Sequence, residues 1–132
     1  MLQERLRHAK YPKGIVKYIE KIEDQEYIYI VTALMNQGDL ASYMRSHHIV
    51  YLSESELLDK VHSITKSLKA IHEHGFLHND LQPCNLYLHK KSSQRNGSSL
   101  SVKLGGFAKC QPIDPAQTDC FCTSYELEQE NV

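Results

Sequence analysis

A chain of 132 residues with 41% hydrophobic and 23% charged side chains is long enough for one domain with its own core. Fifteen Lys and Arg stand against sixteen Asp and Glu, a formal net charge of -1, which leaves no basic footprint for nucleic acid or an anionic membrane as the main partner. The longest apolar runs, such as Tyr27 to Met35, are too short to span a bilayer and no signal-like leader follows Met1, so the expectation is an intracellular, cytoplasmic globular protein.

Leu2, Leu6 and Ala9, set among charges, read as the remnant of an amphipathic helix that Tyr11-Pro12-Lys13-Gly14 breaks. Two extended runs follow, Ile15 to Lys21 and Glu26 to Met35, with Glu23-Asp24-Gln25 turning between them. Their β-branched and aromatic residues alternate, which predicts a hairpin. Asn36-Gln37-Gly38 is a loop, and Asp39 is placed to cap a short helix bearing Leu40, Tyr43 and Met44.

The strongest helical pattern runs from about Glu54 to His74. Leu57, Leu58, Val61, Ile64, Leu68 and Ile71 recur at three- and four-residue steps as one apolar stripe. Ser53 and Glu56 have capping-box spacing, and Gly75 suits a left-handed stop. Beyond it, Leu86 to Leu88 and Leu100 to Leu104 read as a strand pair around the polar loop Lys90 to Ser99, where Asn96-Gly97 signals a turn. The loop reads as a long, solvated connection, with a docking or phosphorylation insert as the sharper alternative. Lys109 to Val132 shows no obvious element, and no internal repeat appears.

Four cysteines, Cys84, Cys110, Cys120 and Cys122, are expected to be reduced thiols. Cys120-Phe121-Cys122 has no second pair nearby at zinc-finger spacing, and Gly75 separates the directions of His72, His74 and His78.

One segment carries specific chemistry: His78-Asn79-Asp80-Leu81-Gln82-Pro83-Cys84-Asn85-Leu86. It resembles the protein kinase catalytic loop, H-R-D-L-K-P-x-N, and keeps the His, Asp, Leu, Pro and Asn in register. In phosphoryl transfer the Asp orients or accepts the proton of the attacking hydroxyl, and the Asn ligates a metal on the phosphates. The resemblance therefore implies Asp80 at the base position, Asn85 as a catalytic-loop metal ligand, His78 as a site residue and Gln82 at the usual Lys position.

The resemblance extends over nearly the whole chain. Ile15 to Tyr18 and Glu26 to Val31 look like two small-lobe strands, and Thr32-Ala33-Leu34-Met35-Asn36-Gln37-Gly38-Asp39-Leu40 looks like the hinge. It implies Thr32 as gatekeeper, Ala33, Leu34 and Met35 as the edge that meets adenine, Asp39 near the ribose and Tyr87 as an apolar floor. Cys122 to Glu130 resembles an eroded activation-segment end, G-T-x-x-Y-x-A-P-E. The implied activity is ATP-dependent transfer to Ser/Thr hydroxyls of proteins, with magnesium. The hinge and Asn85-Leu86-Tyr87-Leu88 lean toward the never-in-mitosis group.

The implied fold is α+β and partial, a two-stranded remnant of the small lobe plus the first half of the mainly helical large lobe. Its segments are 1–32 for the small-lobe remnant, 33–38 for the hinge and 39–132 for the large-lobe part.

The departures set a second expectation. Gly106-Phe107-Ala108 stands where the family has D-F-G, so the metal carboxylate is lost at Gly106; the alternative register puts Leu104 there. Asn79 replaces Arg, and of A-P-E only Glu130 survives. The family's glycine-rich strands and phosphate-binding Lys have no counterpart, and the Glu of the preceding helix falls on Leu2 or Gln3. The expectation is thus a catalytically impaired, truncated kinase domain that acts as a binding or scaffold module, with a protein partner and a tendency to self-associate. The alternative is a fragment of an active kinase gene product without independent function.

Overall fold

The computed structural model describes Leu2, Leu6 and residues 11–90 and 100–114. Leu2 and Leu6 are helical and buried, as the amphipathic spacing predicts. Ala9, most of the polar loop, Cys120, Cys122 and the activation-segment-like stretch lie outside the described residues.

Strand β1 (Tyr18–Glu23) pairs antiparallel with β2 (Ile28–Thr32), from Glu23 opposite Ile28 to Tyr18 opposite Thr32, with an irregularity between Tyr18 and Glu20. The turn is built by Asp24, whose carboxylate accepts the N–H of Glu26 at 2.8 Å and of Tyr27 at 2.7 Å. The expected first strand began at Ile15. Instead Ile15 and Val16 leave the hairpin, because their neighbourhood bonds the opposite end of the chain: Val16 N–H donates to the Leu104 carbonyl at 2.9 Å, and Leu104 N–H to that of Gly14 at 2.8 Å.

Helix α1 (Leu40–Ser46) starts at the Asp39 cap, whose carboxylate accepts the Ser42 N–H. Helix α2 (Glu54–Glu73) carries the full capping box of Ser53 and Glu56 and ends before Gly75 at φ +78°. Strand β3 (Phe76–Leu77) follows, then β4 (Leu86–Lys90) and β5 (Leu100–Leu104), paired antiparallel in the expected places. The stretch after Lys109 is not elementless. Gln111–Pro112 forms β6, which pairs antiparallel with β3.

The fully buried centre is Leu6, Ile15, Ile71, Leu88 and Leu104. The expected stripe of α2 divides lengthwise. Ile71 is buried and Ile64 and Leu68 pack against the core, but Leu57, Leu58 and Val61 are 49%, 61% and 49% exposed. Close packing instead passes through small residues: Ser67 is buried, and a Cβ on Gly14 would lie 2.2 Å from its Oγ. The hairpin is the other uncovered region, with Ile19, Ile22, Tyr27, Ile28, Tyr29 and Ile30 all exposed.

Candidate functional site

The loop between β3 and β4 brings the sequence-selected residues together. His78 is buried and its two ring nitrogens face opposite kinds of partner. Nδ1 faces the Asp80 N–H at 3.2 Å and must accept; Nε2 faces the Gly105 carbonyl at 2.8 Å and must donate. The arrangement therefore selects the neutral ring protonated at Nε2. Its edge packs on Phe107, with centroids 5.3 Å apart. His78 thus ties the 78–85 loop to the 105–107 segment.

Asp80 is held by three side chains. Lys109 Nζ and Gln82 Nε2 approach Oδ1 at 2.9 and 3.0 Å, and Asn85 Nδ2 donates to Oδ2 at 2.9 Å. The hydrogen bond from Lys109 is the main reason that the Asp80 carboxyl sits below its ordinary pKa, with smaller help from Asn85 and Gln82. Asn85 also donates to the Asp80 backbone carbonyl at 2.8 Å. Both hydrogen bonds point its amide nitrogen at Asp80.

Gly106 lies under the other side of that amide. It adopts φ +72° and ψ +49°, and a Cβ there would meet the Asn85 Cγ and Oδ1 at 2.2 Å. Gly106 offers no side-chain oxygen, and a carboxylate at this position would have to displace the Asn85 side chain. Magnesium requires near-octahedral oxygen ligation, and the residues present do not fit it. Asn79, at the family's Arg position, adopts φ +59° and reaches the Lys109 carbonyl and Gln111 Oε1, each at 3.4 Å. It is a cross-strut between loops rather than a cation.

Beside the 105–108 segment opens a cavity of about 1070 Å³. Thr32, Ala33, Leu34, Met35 and Tyr87 line it, together with the apolar Val16 and Phe107. No Asp, Glu, Lys or Arg belongs to the lining among the described residues. Asp39, Asp80 and Asn85 are likewise absent from it. The Asp39 carboxyl is held below its ordinary pKa chiefly by the Ser42 N–H, so it serves the helix cap and not the cavity. At the hinge, the Ala33 N–H donates to the Lys17 carbonyl and the Met35 carbonyl accepts the Gly38 N–H.

Sequence reasoning missed Lys109 and Gln111. Their partners lie 29 and 32 positions away, at Asp80 and Asn79, and no local pattern announces such a contact.

The protein kinase domain model matches residues 2–127. Ribosomal protein S6 kinase 2 alpha of Gallus gallus is 32% identical over 104 residues, covering 79% of this chain and 13% of the relative. Ribosomal protein S6 kinase alpha-3 of Homo sapiens gives the same identity and coverage. Serine/threonine-protein kinase PLK4 of Danio rerio is 26% identical over 106 residues, 80% of this chain and 10% of the relative. The chain thus spans 13% or less of the length of these three relatives. None of the three is a never-in-mitosis kinase.

Proposed function

The chain belongs to the protein kinase domain family, and from that premise we propose that it is a kinase-fold binding module in which phosphoryl transfer has been lost. Family and relatives give the general class, transferases that phosphorylate Ser and Thr of proteins. The observation that carries the proposal is the closed contact set of Asp80. Its carboxylate is engaged by Lys109, Gln82 and Asn85, while Asn85 fills the space over Gly106 where a metal carboxylate would stand.

Phosphoryl transfer depends on positioning and on neutralising the phosphate charge. Removing one preorganised donor from such a site typically raises the barrier by about 2.7–4 kcal/mol. Here the metal carboxylate is missing and the catalytic-loop Lys is Gln82. The cavity, by contrast, suits an uncharged ring. Tyr87 and Val16 offer apolar walls, and the Ala33 carbonyl and Met35 N–H are the hinge groups on which a base would be held. A triphosphate would bring several negative charges to a lining that, among the described residues, has no Lys or Arg.

No helix of the described residues is long and apolar enough to cross a membrane. The proposed setting is the cytoplasm, with a protein as partner and neither nucleic acid nor membrane. Exposed Leu57, Leu58 and Val61 on α2 also favour a second reading, in which this segment functions only as part of a longer kinase polypeptide.

Calorimetric titration with adenosine and with ATP, each with and without magnesium, tests the proposal. The expected result is weak binding of similar strength in all four titrations. Tight, magnesium-dependent ATP binding, or phosphate transfer to a Ser/Thr substrate that an Asp80→Asn variant abolishes, would refute it.

A further inference from the structure

We infer, on the reading that the cavity holds an uncharged ring, that Asn36 is a positioning residue. Its side-chain amide takes the place of a backbone peptide and fixes the hinge, Ala33 to Met35, relative to Tyr87 on β4. The pair is made across 54 positions of sequence. Asn36 Nδ2 donates to the Lys90 carbonyl at 3.1 Å, and Asn36 Oδ1 accepts the Lys90 N–H at 2.8 Å. A carboxamide carries the same donor and acceptor as a peptide group, so one side chain satisfies both backbone groups of Lys90.

Register shows what the side chain replaces. Asp39 bridges Tyr87 in the antiparallel sense. Next to that bridge, Leu88 N–H donates to the Gly38 carbonyl at 2.8 Å and Gln37 N–H to the Leu88 carbonyl at 3.2 Å. The hinge exit thus runs antiparallel beside β4, and the same register carried outward sets position 36 opposite position 90. The main chain turns away at this point. Gly38 N–H donates back to the Met35 carbonyl at 3.1 Å and Gly38 takes φ +69°, which puts Asn36 at the first corner of a turn. The Asn36 carboxamide completes the row that the backbone leaves.

The quantity held is the placement of the hinge against the Tyr87 ring. Tyr87 pairs with Lys103 of β5, and its ring lies so near Gly105 that a Cβ there would stand 2.7 Å from Cε2 and 2.9 Å from Cδ2. The ring is therefore set by β5 and Gly105, while the hinge is tied to the strand that carries the ring. Ala33 to Met35, Gly38, Tyr87 and Gly105 all line the cavity. Asn36 is exposed, so water replaces its bonds to Lys90 when the amide is removed, and no unpaired buried group is left behind. The chain should stay folded while the hinge loosens.

Hydrogen exchange of the intact chain, read at the Gln37 and Leu88 amides, is the first test, with Asn36→Ala and Asn36→Asp as variants. Asn36→Ala removes both bonds to Lys90, whereas Asn36→Asp keeps only the acceptor for the Lys90 N–H. Exchange at the two amides should quicken about tenfold in Asn36→Ala and less in Asn36→Asp. The Ser42 amide, held by the Asp39 cap, is the internal reference and should not change. Adenosine, titrated into each chain, should bind about three- to tenfold more weakly to Asn36→Ala, with Asn36→Asp between it and the parent. Unchanged exchange at Gln37 and Leu88 overturns the inference. So does faster exchange that includes Ser42 equally, which would mean general destabilisation, and so does a loosened hinge with unaltered adenosine affinity. A parent chain that binds no adenosine refutes the uncharged-ring reading instead, and exchange at Gln37 and Leu88 then decides by itself whether Asn36 holds the hinge.

Discussion

The Lys109 ammonium lies 2.9 Å from Oδ1 of Asp80, so the residue expected to orient a substrate hydroxyl is paired with a cation from its own chain. The pairing places a positive charge beside this loop.

Lys109→Ala should raise the Asp80 pKa toward its ordinary value, as followed by carboxyl NMR titration. The folded-state value is depressed, so the associated stability is present above the unfolded pKa and is lost as pH falls through the folded one. Acid unfolding of the Lys109→Ala chain should accordingly begin at higher pH than that of the parent. The Lys109 side chain is 65% exposed, so added salt should narrow the difference. Identical acid-unfolding profiles at low salt would show that the contact contributes nothing.

Gly106→Asp should not restore a magnesium site. The new Cβ would enter the Asn85 side chain, and the left-handed backbone at φ +72° disfavours a non-glycine residue by about 1–2 kcal/mol. The variant should melt below the parent and show no magnesium-dependent shift in its melting temperature. Combining it with Asn85→Ala should recover part of the lost stability, because the obstruction is removed. A lone Gly106→Asp variant stabilised by magnesium would mean that Asn85 yields easily.

The parts legible in the sequence are those set by neighbours in the chain. The alternation from Tyr27 to Val31 gives β2, and Ser53 with Glu56 gives the start of α2. The catalytic-loop spacing locates Asp80 and Asn85, whose side chains do meet. The missed features depend on distant partners. β6 is two residues long and exists because Gln111 and Pro112 pair with Leu77 and Phe76. Likewise, Ile15 has strand character, but its bridge is to Leu104 and not to the hairpin. That position 106 carries no carboxylate is visible in the motif. That the Asn85 side chain lies against it is visible only in three dimensions.

Tyr11 joins two such distant-looking pieces through a single oxygen, and its removal is the last test. Its hydroxyl donates to the Val16 carbonyl at 2.9 Å and accepts the Tyr18 N–H at 3.1 Å. It thereby spans the point where the chain leaves the Leu104 bridge and enters β1. Tyr18 is buried, so Tyr11→Phe would leave its N–H without this partner. Such a loss typically costs about 1–3 kcal/mol. Denaturant unfolding should show a drop of that order, while Tyr51→Phe, at a residue 83% exposed, should change stability by no more than about 0.5 kcal/mol. Hydrogen exchange should locate the effect, with the Tyr18 amide losing protection before the amides at the Asp24 turn. Burial raises the Tyr11 pKa, with the Tyr18 N–H acting in the opposite direction. A raised folded-state value means that the contribution is present below the unfolded pKa and disappears as pH rises through the folded one. The stability difference between the parent and Tyr11→Phe should therefore shrink in strong alkali. A difference that stays constant into that range would assign the loss to packing and not to the hydroxyl.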